Sequence, residues 1–283
     1  MSAVFYLILS ILSSVGVGIV IHLNESRQLQ RLPIMVFNYI GATILGLLFL
    51  KIPGEIPASF SRLVPLSLAT GAIFVGAFIV YMAAVQKMGL AIPVTVTRLS
   101  VVLPVVGSIL LFGEVISFLQ LGGLILALLA IFLFSYRREE SSDRAAHPVL
   151  IPVLLFFLMG SGDFCLKIFQ ENFSPTMLPP YMILVFITSA IISGISTGAK
   201  KIPFGKAEVI AGFILGIPNF FSAYFILKVL QKFPGAIAFP LNNIGIILLS
   251  TLVGYLAWNE QLSRIKLIAV VLAVVAVILL SGF

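Results

Sequence analysis

The feature that most limits the fold is a series of ten long apolar stretches, separated by short segments of charged and turn-forming residues. Each stretch is about 20 residues long, which is what an α-helix needs to cross a hydrocarbon core of ~30 Å. The stretches are continuously apolar, whereas the strands of a membrane barrel alternate between apolar and polar residues. They predict an all-α integral membrane protein with ten transmembrane helices, at residues 3–23, 33–50, 63–85, 90–112, 116–136, 149–169, 178–198, 208–230, 235–257 and 262–282.

The composition excludes a water-soluble protein. Hydrophobic residues make up 60% of the chain and charged residues only 10%, against about 25% charged residues in soluble domains. This excludes a soluble enzyme, a nucleic-acid-binding domain and a disordered protein. The 17 Lys and Arg residues outnumber the 10 Asp and Glu residues, but most of them lie in short loops, where anionic lipid headgroups are the expected partners. The single cysteine, Cys165, excludes an intrachain disulfide and a cysteine-based metal site.

A polar segment at the midpoint of the chain suggests a duplication. Five apolar stretches precede residues 137–148 and five follow, which predicts a first repeat at 1–136, a polar linker and a second repeat at 149–283. Because each half has an odd number of spans, the second enters the membrane from the opposite side, as in inverted repeats. Several segments of the two halves match in sequence, namely Gln86-Lys87 with Gln231-Lys232, 111–117 with 257–263, and 51–53 with 201–203. The alternative to a duplication is that the alternation of helices and loops produces such matches by itself.

The segment from Val94 to Ser117 resembles a known transporter family. It carries Pro104 and ends in Leu111-Phe112-Gly113-Glu114, and a similar pattern returns at 241–263, with Asn259 in place of the glycine before Glu260. The chain resembles the drug/metabolite transporter superfamily, in particular its EamA-like branch of duplicated ten-helix transporters. The resemblance implies a substrate cavity between the halves and alternating access by rocking of the repeats.

The resemblance also assigns roles outside the cavity. It implies that the fifth and tenth helices pack the halves together, a use that fits the small residues Gly122, Gly123 and Ala127, since small side chains let helices approach closely. Glu114 and Glu260 are interpreted as charges at helix N-termini, where the helix dipole favours an anion. The distribution of Lys and Arg places both termini outside, whereas the resemblance implies cytoplasmic termini, and both orientations stay open.

A few polar side chains inside the spans are the candidates for function, because an ionisable group in lipid is costly unless it is paired or hydrated. Arg98 lies near the midpoint of the fourth span, and an offset of 145 residues maps Thr97 and Arg98 onto Asn242 and Asn243. Pro93 and Pro240 are expected to loosen the backbone nearby, as in broken transporter helices. The alternative is that these side chains bridge helices or bind freed carbonyls. The predicted substrate-binding residues are Arg98, Asn242, Asn243, Asp163, Asn219, Tyr224, Thr97 and Asn38.

Asp163 is also the candidate for proton coupling. It lies in the first helix of the second repeat, where the resemblance to small multidrug transporters of the same superfamily implies an acid that binds proton and substrate in turn. Lys167 follows four residues later on the same helix face. Either the two form a static salt bridge and Asp163 stays ionised, or Lys167 extends its amine to the interface and Asp163 is free to titrate.

The sequence therefore predicts a secondary active transporter, an exporter or permease, for small polar metabolites such as amino acids. Arg98 suits a carboxylate, and Asp163 suits an ammonium group or a proton. The alternatives are an exporter of cationic amphiphilic drugs or a flippase for lipid-linked sugars and, in a different class, a membrane scaffold that transports nothing.

Enzymatic activity, cofactors and metals are not expected. The Gly160-Ser161-Gly162-Asp163 motif resembles that of intramembrane aspartyl proteases, but their chemistry needs a second deep carboxylate. The expected partners are a small-molecule substrate and the lipid bilayer, without nucleic acid, and a monomer is a candidate state. The expected location is a prokaryotic plasma (inner) membrane.

Overall fold

The computed structural model describes residues 2–49, 60–88, 91–135, 150–258 and 263–281. Within these ranges every regular element is helical and there is no strand. A single turn of 3₁₀-helix at Pro175–Met177 leads into α8. The α-helices are α1 (Ala3–Ser26), α2 (Arg31–Leu48), α3 (Phe60–Met88), α4 (Ala91–Leu99), α5 (Val102–Phe112), α6 (Phe118–Ser135), α7 (Leu150–Asn172), α8 (Leu178–Ala199), α9 (Lys206–Leu230), α10 (Gly235–Trp258) and α11 (Arg264–Ser281).

Most of the predicted apolar stretches correspond to helices long enough to cross a membrane. In the described part of the chain, nine helical segments are long and apolar enough to cross a membrane, with α4 and α5 together forming one of them, and Phe118–Leu133 is a shorter apolar helix. The prediction of an all-helical protein is confirmed, and these segments indicate a membrane protein. The predicted linker at 137–148, the matched segment 51–53 and Glu260 lie outside the described residues.

The fourth predicted span is interrupted between α4 and α5. Residues Ser100 and Val101 form a turn, and Pro104, which has no N–H, cannot donate to the Ser100 carbonyl as a continuous helix requires. That carbonyl accepts from the Leu103 N–H instead, at 3.0 Å. The interruption was expected near Pro93 and Pro240. Pro93 lies in the first turn of α4, where an N–H needs no helical partner, and α10 continues through Pro240.

One compact unit comprises Met1–Val75 and Ile168–Lys232. In it α9 packs on α1 and α2, and α2 packs on α8. Two glycines permit close approach. A Cβ added at Gly216 would lie 2.7 Å from the Asn38 carbonyl oxygen, and one added at Gly71 would lie 2.6 Å from the Val185 carbonyl oxygen. Both distances are too short for any side chain, so these helix contacts depend on glycine.

The other compact unit comprises Gly76–Lys167 and Phe233–Phe283. In it α6 packs along α11, while α10 packs on α5, α6 and α11. Gly122 and Gly123 were both expected at such a contact. A Cβ at Gly123 would meet Leu279 and Leu280, whereas one at Gly122 would meet nothing within 4 Å among the described residues. Within the described part of the chain, Gly122 therefore makes no close helix contact. The buried small residues of this pair are Ala127 and Ala130 on α6 and Ala269, Ala273 and Ala276 on α11.

The two compact units do not coincide with the two halves of the sequence. Each unit takes segments from before and after the midpoint. We call Met1–Val75 with Ile168–Lys232 unit 1, and Gly76–Lys167 with Phe233–Phe283 unit 2. The division into sequence repeats at 1–136 and 149–283 stays a prediction.

Candidate functional site

Three of the predicted site residues come together in unit 2, around the guanidinium of Arg98. Arg98, near the end of α4, donates from Nη1 to the Asn243 side-chain oxygen at 3.4 Å. The Asn243 amide is oriented by its own helix, because Nδ2 donates to the Phe239 carbonyl at 3.2 Å. Asp163, on α7, interacts electrostatically with Arg98. The three residues, which we call the Arg98 site, place a cation, an amide and an acid from three helices at one position.

Close packing of the backbones holds α7 against the interrupted fourth span. A Cβ added at Gly160 would lie 2.7 Å from the Ser100 carbonyl oxygen and 2.7 Å from the Leu103 Cβ. Gly160 lies one turn before Asp163, so this contact fixes the level at which the acid meets α4. The Gly160-Ser161-Gly162-Asp163 motif therefore serves helix packing here.

Two further predicted residues flank the Arg98 site, and they differ in how their polar atoms are used. The Thr97 hydroxyl donates to the Pro93 carbonyl of its own helix at 2.8 Å. The side-chain oxygen of Asn242 is buried and has no hydrogen-bond partner among the described residues. A buried acceptor left without a donor costs free energy. Asn242 therefore offers an unused acceptor beside Asn243 for a ligand that carries N–H or O–H.

Tyr81 is a site residue that the sequence analysis missed. It lies on α3 and interacts electrostatically with Arg98. A tyrosine within a span was the available signal, but tyrosines also anchor helices at the membrane interface, so residue type did not single it out.

The remaining three predicted residues belong to unit 1. Asn219 Nδ2 donates to Asn38 Oδ1 at 3.2 Å, and Asn38 is fully buried. Tyr224 stacks on Phe220, with ring centroids 6.0 Å apart and an interplanar angle of 14°. The amine of Lys228 lies 5.6 Å from the Tyr224 ring centroid. The two asparagines bridge α2 and α9.

A second polar cluster of unit 2 involves Lys167, and it differs from both expectations for that residue. Lys167 Nζ lies 2.6 Å from Glu114 Oε1, and the two side chains are only 2% and 11% exposed. Neither a static bridge to Asp163 nor an amine at the interface describes this placement. The cation that acts on Asp163 is Arg98.

Glu114 acts at the N-terminus of a helix, but of α10 rather than of the helix that follows it in sequence. Its two carboxylate oxygens accept from the backbone N–H groups of Gly235 and Ala236, at 2.7 and 2.8 Å. The following helix, α6, is capped instead by Ser117 and Gln120, whose side chains each accept from the other's backbone N–H. Glu114 thus satisfies two of the N–H groups that a helix start leaves without partners.

Comparison with known proteins supports the fold and names no activity. No protein-family model matches the chain. A protein of Haemophilus influenzae described as uncharacterized is 26% identical over 280 residues, which cover 96% of this chain and 95% of that protein. A solved structure described only as the crystal structure of a protein matches with a TM-score of 0.75 and 16% identity, over 98% of this chain and 96% of its own. The fold is therefore one that occurs in a solved crystal structure.

Proposed function

We propose that the chain is a secondary active transporter, an exporter or permease, for small polar metabolites such as amino acids, in the plasma membrane of a prokaryote. The observation that carries the proposal is the Arg98 site, in which an arginine, an asparagine and an aspartate meet within apolar helices of membrane-spanning length. Ionisable residues inside a membrane are retained where they serve a substrate or ion pathway.

The chemistry of the site matches a ligand with both an acidic and a basic end. A guanidinium has five N–H donors, and one of those of Arg98 is used on Asn243. The others suit a carboxylate, which arginine binds through two parallel hydrogen bonds. Asp163 and the unused oxygen of Asn242 suit an ammonium or hydroxyl group. A central arginine repels a cationic drug, which disfavours that alternative, and a scaffold has no use for an unsatisfied buried acceptor.

The transport mechanism that we propose is alternating access by two inverted repeats of five helices each, giving ten spans. Glycine contacts in unit 1 support this. Gly71 and Gly216 are 145 residues apart, and they face the carbonyl oxygens of Val185 and Asn38, which are 147 residues apart in the reverse order. In unit 2, Gly123, Ala127 and Ala130 on α6 each precede by 146 residues the buried alanines of α11, namely Ala269, Ala273 and Ala276.

The proposal is tested on purified protein in two steps. A thermal-shift screen against amino acids, sugars, nucleosides and quaternary cations first identifies the class that stabilises the protein, and we expect amino acids. Uptake of the best ligand into proteoliposomes is then compared between wild type and Arg98→Ala. We expect uptake to be abolished, because removing one partner from a buried charge contact costs about 2–5 kcal/mol of binding free energy.

The matched control is Arg31→Ala. Arg31 is a partly exposed arginine that pairs with Glu25 at 2.7 Å, and its loss should leave uptake near the wild-type rate. Unchanged uptake in a folded Arg98→Ala protein would show that Arg98 is structural. Stabilisation by quaternary cations alone would favour the drug exporter instead.

A further inference from the structure

We infer that Glu114 is a positioning residue that holds α7 and α10 at the spacing the Arg98 site requires. The inference rests on the proposed function only in treating Arg98, Asn243 and Asp163 as a binding site. Glu114 itself lies away from these residues, in the segment after α5, and it contacts the two helices that carry Asp163 and Asn243.

The turn that aims Glu114 is specified by Gly113. Gly113 ends α5 in the left-handed conformation, with φ of 66°, which glycine adopts without the steric penalty of a Cβ. The N–H groups of Gly113 and Glu114 both donate to the Ser108 carbonyl, a pattern that closes the last turn of a helix. The chain is thereby reversed and the Glu114 side chain points back at α7 and α10.

The start of α10 approaches this carboxylate closely because residue 235 is a glycine. A Cβ added at Gly235 would overlap the Ser108 hydroxyl and lie 3.1 Å from the Cδ and Cε atoms of Lys167. The carboxylate can therefore accept from two α10 N–H groups and pair with the Lys167 amine at once. One side chain thus fixes both helices.

The same two helices are linked a second time at the Arg98 site, with the charges reversed. On α7, Lys167 meets the anion Glu114, and Asp163, four residues earlier, interacts with the cation Arg98. Four residues correspond to about 6 Å along a helix. On α10, backbone N–H groups of the first turn bind Glu114, and Asn243 accepts from Arg98 about 12 Å further on, at 1.5 Å per residue.

The Glu114 contact and the Arg98 site differ in how many of their hydrogen-bonding groups have partners. The Glu114 carboxylate has three donors within 2.8 Å and the Lys167 side chain is almost completely buried. At the Arg98 site, the hydrogen bond from Arg98 to Asn243 is longer, at 3.4 Å, and the side-chain oxygen of the neighbouring Asn242 has no partner among the described residues. The Glu114 contact is charge-assisted and has all its donors in place, whereas the Arg98 site keeps capacity for a ligand. This is the arrangement expected if Glu114 sets the spacing of the helices and the Arg98 site binds the ligand.

The test measures the Arg98 site directly and needs no substrate. Hydrogen exchange is followed in residues 235–238, at the Glu114 level, and in 159–164 and 241–246, at the Arg98 level. Modification of Arg98 by phenylglyoxal, located by mass spectrometry, reports on the guanidinium. In Glu114→Gln, which keeps the size but lacks the charge, we expect both windows at the Arg98 level to exchange faster and Arg98 to react at least about tenfold faster. Glu114→Asp, which retains the carboxylate, should rescue part of the effect.

Two controls separate this role from simpler ones. Glu208→Gln alters another carboxylate that accepts a backbone N–H at a helix start, that of Gly205 at 2.8 Å, and should leave Arg98 reactivity unchanged. The exchanged pair Glu114→Lys with Lys167→Glu should fail to restore the wild type, because a lysine cannot accept the α10 N–H groups.

The inference is overturned if only residues 235–238 lose protection and Arg98 reacts at the wild-type rate, since Glu114 is then a local cap. If the exchanged pair fully restores wild-type hydrogen exchange and Arg98 reactivity, Glu114 acts only as one member of an ion pair, which also overturns the inference. If Glu114→Gln does not fold because Lys167 is left buried without an anion, Glu114→Gln with Lys167→Met removes both charges and is measured in the same way. Absence of transport in the wild type would refute the proposed function and leave these measurements unaffected.

Discussion

In unit 1, the partly buried Asn219 donates to the buried Asn38. In unit 2, Asn243 accepts from an arginine, and the side-chain oxygen of Asn242 has no hydrogen-bond partner among the described residues. Residue type is the same in both units, but the surroundings differ. Asn38 is fully buried, and its backbone oxygen faces Gly216 across a contact that admits no side chain. Asn242 and Asn243 are only partly buried and lie near a charge pair.

The comparison shows how a polar residue in a membrane helix is to be interpreted. A neutral pair that satisfies itself inside a close glycine contact holds two helices together, which is the common use of polar side chains between membrane helices. A charged group with an incomplete set of partners retains capacity for a ligand. The distinction lies in the balance of donors and acceptors, and the predictions below test it in each unit.

The largest expected effect is the loss of proton-driven accumulation in Asp163→Asn. Asparagine keeps the size of the side chain and a side-chain oxygen that accepts hydrogen bonds, so exchange between two loaded compartments should continue. Accumulation driven by a pH gradient should fall to the equilibrium level, because the coupling proton has no acceptor. The measurement is uptake into proteoliposomes with and without an imposed gradient.

Glu171→Gln is the matched control for that experiment. Glu171 lies eight residues further along α7 and is exposed, so its neutralisation should leave accumulation intact. Persistent accumulation in Asp163→Asn would show that Asp163 is not the coupling acid and that it serves Arg98 alone.

Unit 1 should respond most strongly to a change at its glycine contact. In Gly216→Ala the new methyl group would lie 2.7 Å from a backbone oxygen, and overpacking of this kind costs about 1–3 kcal/mol. Gly122→Ala, where the added group meets no described residue within 4 Å, should instead stabilise the helix by roughly 0.5–1 kcal/mol. The free energy of unfolding in mixed micelles measures both, and equal effects would mean that the α2–α9 contact is looser than described.

The sequence was sufficient for the helices and for part of the site. Continuous apolar stretches predicted the helices because only a helix satisfies its own backbone in lipid, although they did not separate α4 from α5. The offset of 145 residues brought Arg98 and Asn243 into one hypothesis, and in the structure Arg98 Nη1 lies 3.4 Å from Asn243 Oδ1. Spacing along a single helix was less informative: Lys167 and Asp163 share a face of α7, yet each interacts with a charge from another segment.

What the sequence did not predict depends on contacts between distant segments. Glu114 caps a helix that begins 121 residues later, and no local pattern encodes that distance. Gly113 gave a local signal, since a glycine directly after an apolar helix is typical of a left-handed helix end. Gly113 predicts the turn, but it does not predict which helix the side chain of the next residue, Glu114, contacts. Similarly, nothing near Asn38 indicated that its partner is Asn219.

The asparagine pair of unit 1 should contribute modestly to stability and nothing to transport. Asn38→Ala and Asn219→Ala each remove one partner, so each should destabilise the protein. Interhelical hydrogen bonds in membranes are worth about 0.6 kcal/mol, with a maximum near 1.7, and a double-mutant cycle should give a coupling of that size. A folded Asn219→Ala protein with wild-type stability and no uptake would contradict the comparison, because it would assign a binding role to unit 1.

The smallest expected effect is that of Glu208→Gln on stability, and it sharpens the contrast between two helix starts. Glu208 accepts from the N–H of Gly205 at 2.8 Å and from that of Gln30 at 3.4 Å, but both hydrogen bonds are exposed to solvent, and Glu208 makes no ion pair of the kind that Glu114 makes with Lys167 among the described residues. Water replaces lost hydrogen bonds at such a position, so only the interaction of the charge with the helix N-terminus is lost, typically 0.3–1 kcal/mol at low ionic strength.

Added salt should shrink the difference in unfolding free energy between wild type and Glu208→Gln, since the charge is screened. The effect of Glu114→Gln should persist in salt, because that side chain is only 11% exposed. A salt-independent loss in Glu208→Gln, measured by unfolding at low and high ionic strength, would show that the start of α9 depends on its carboxylate as the start of α10 does.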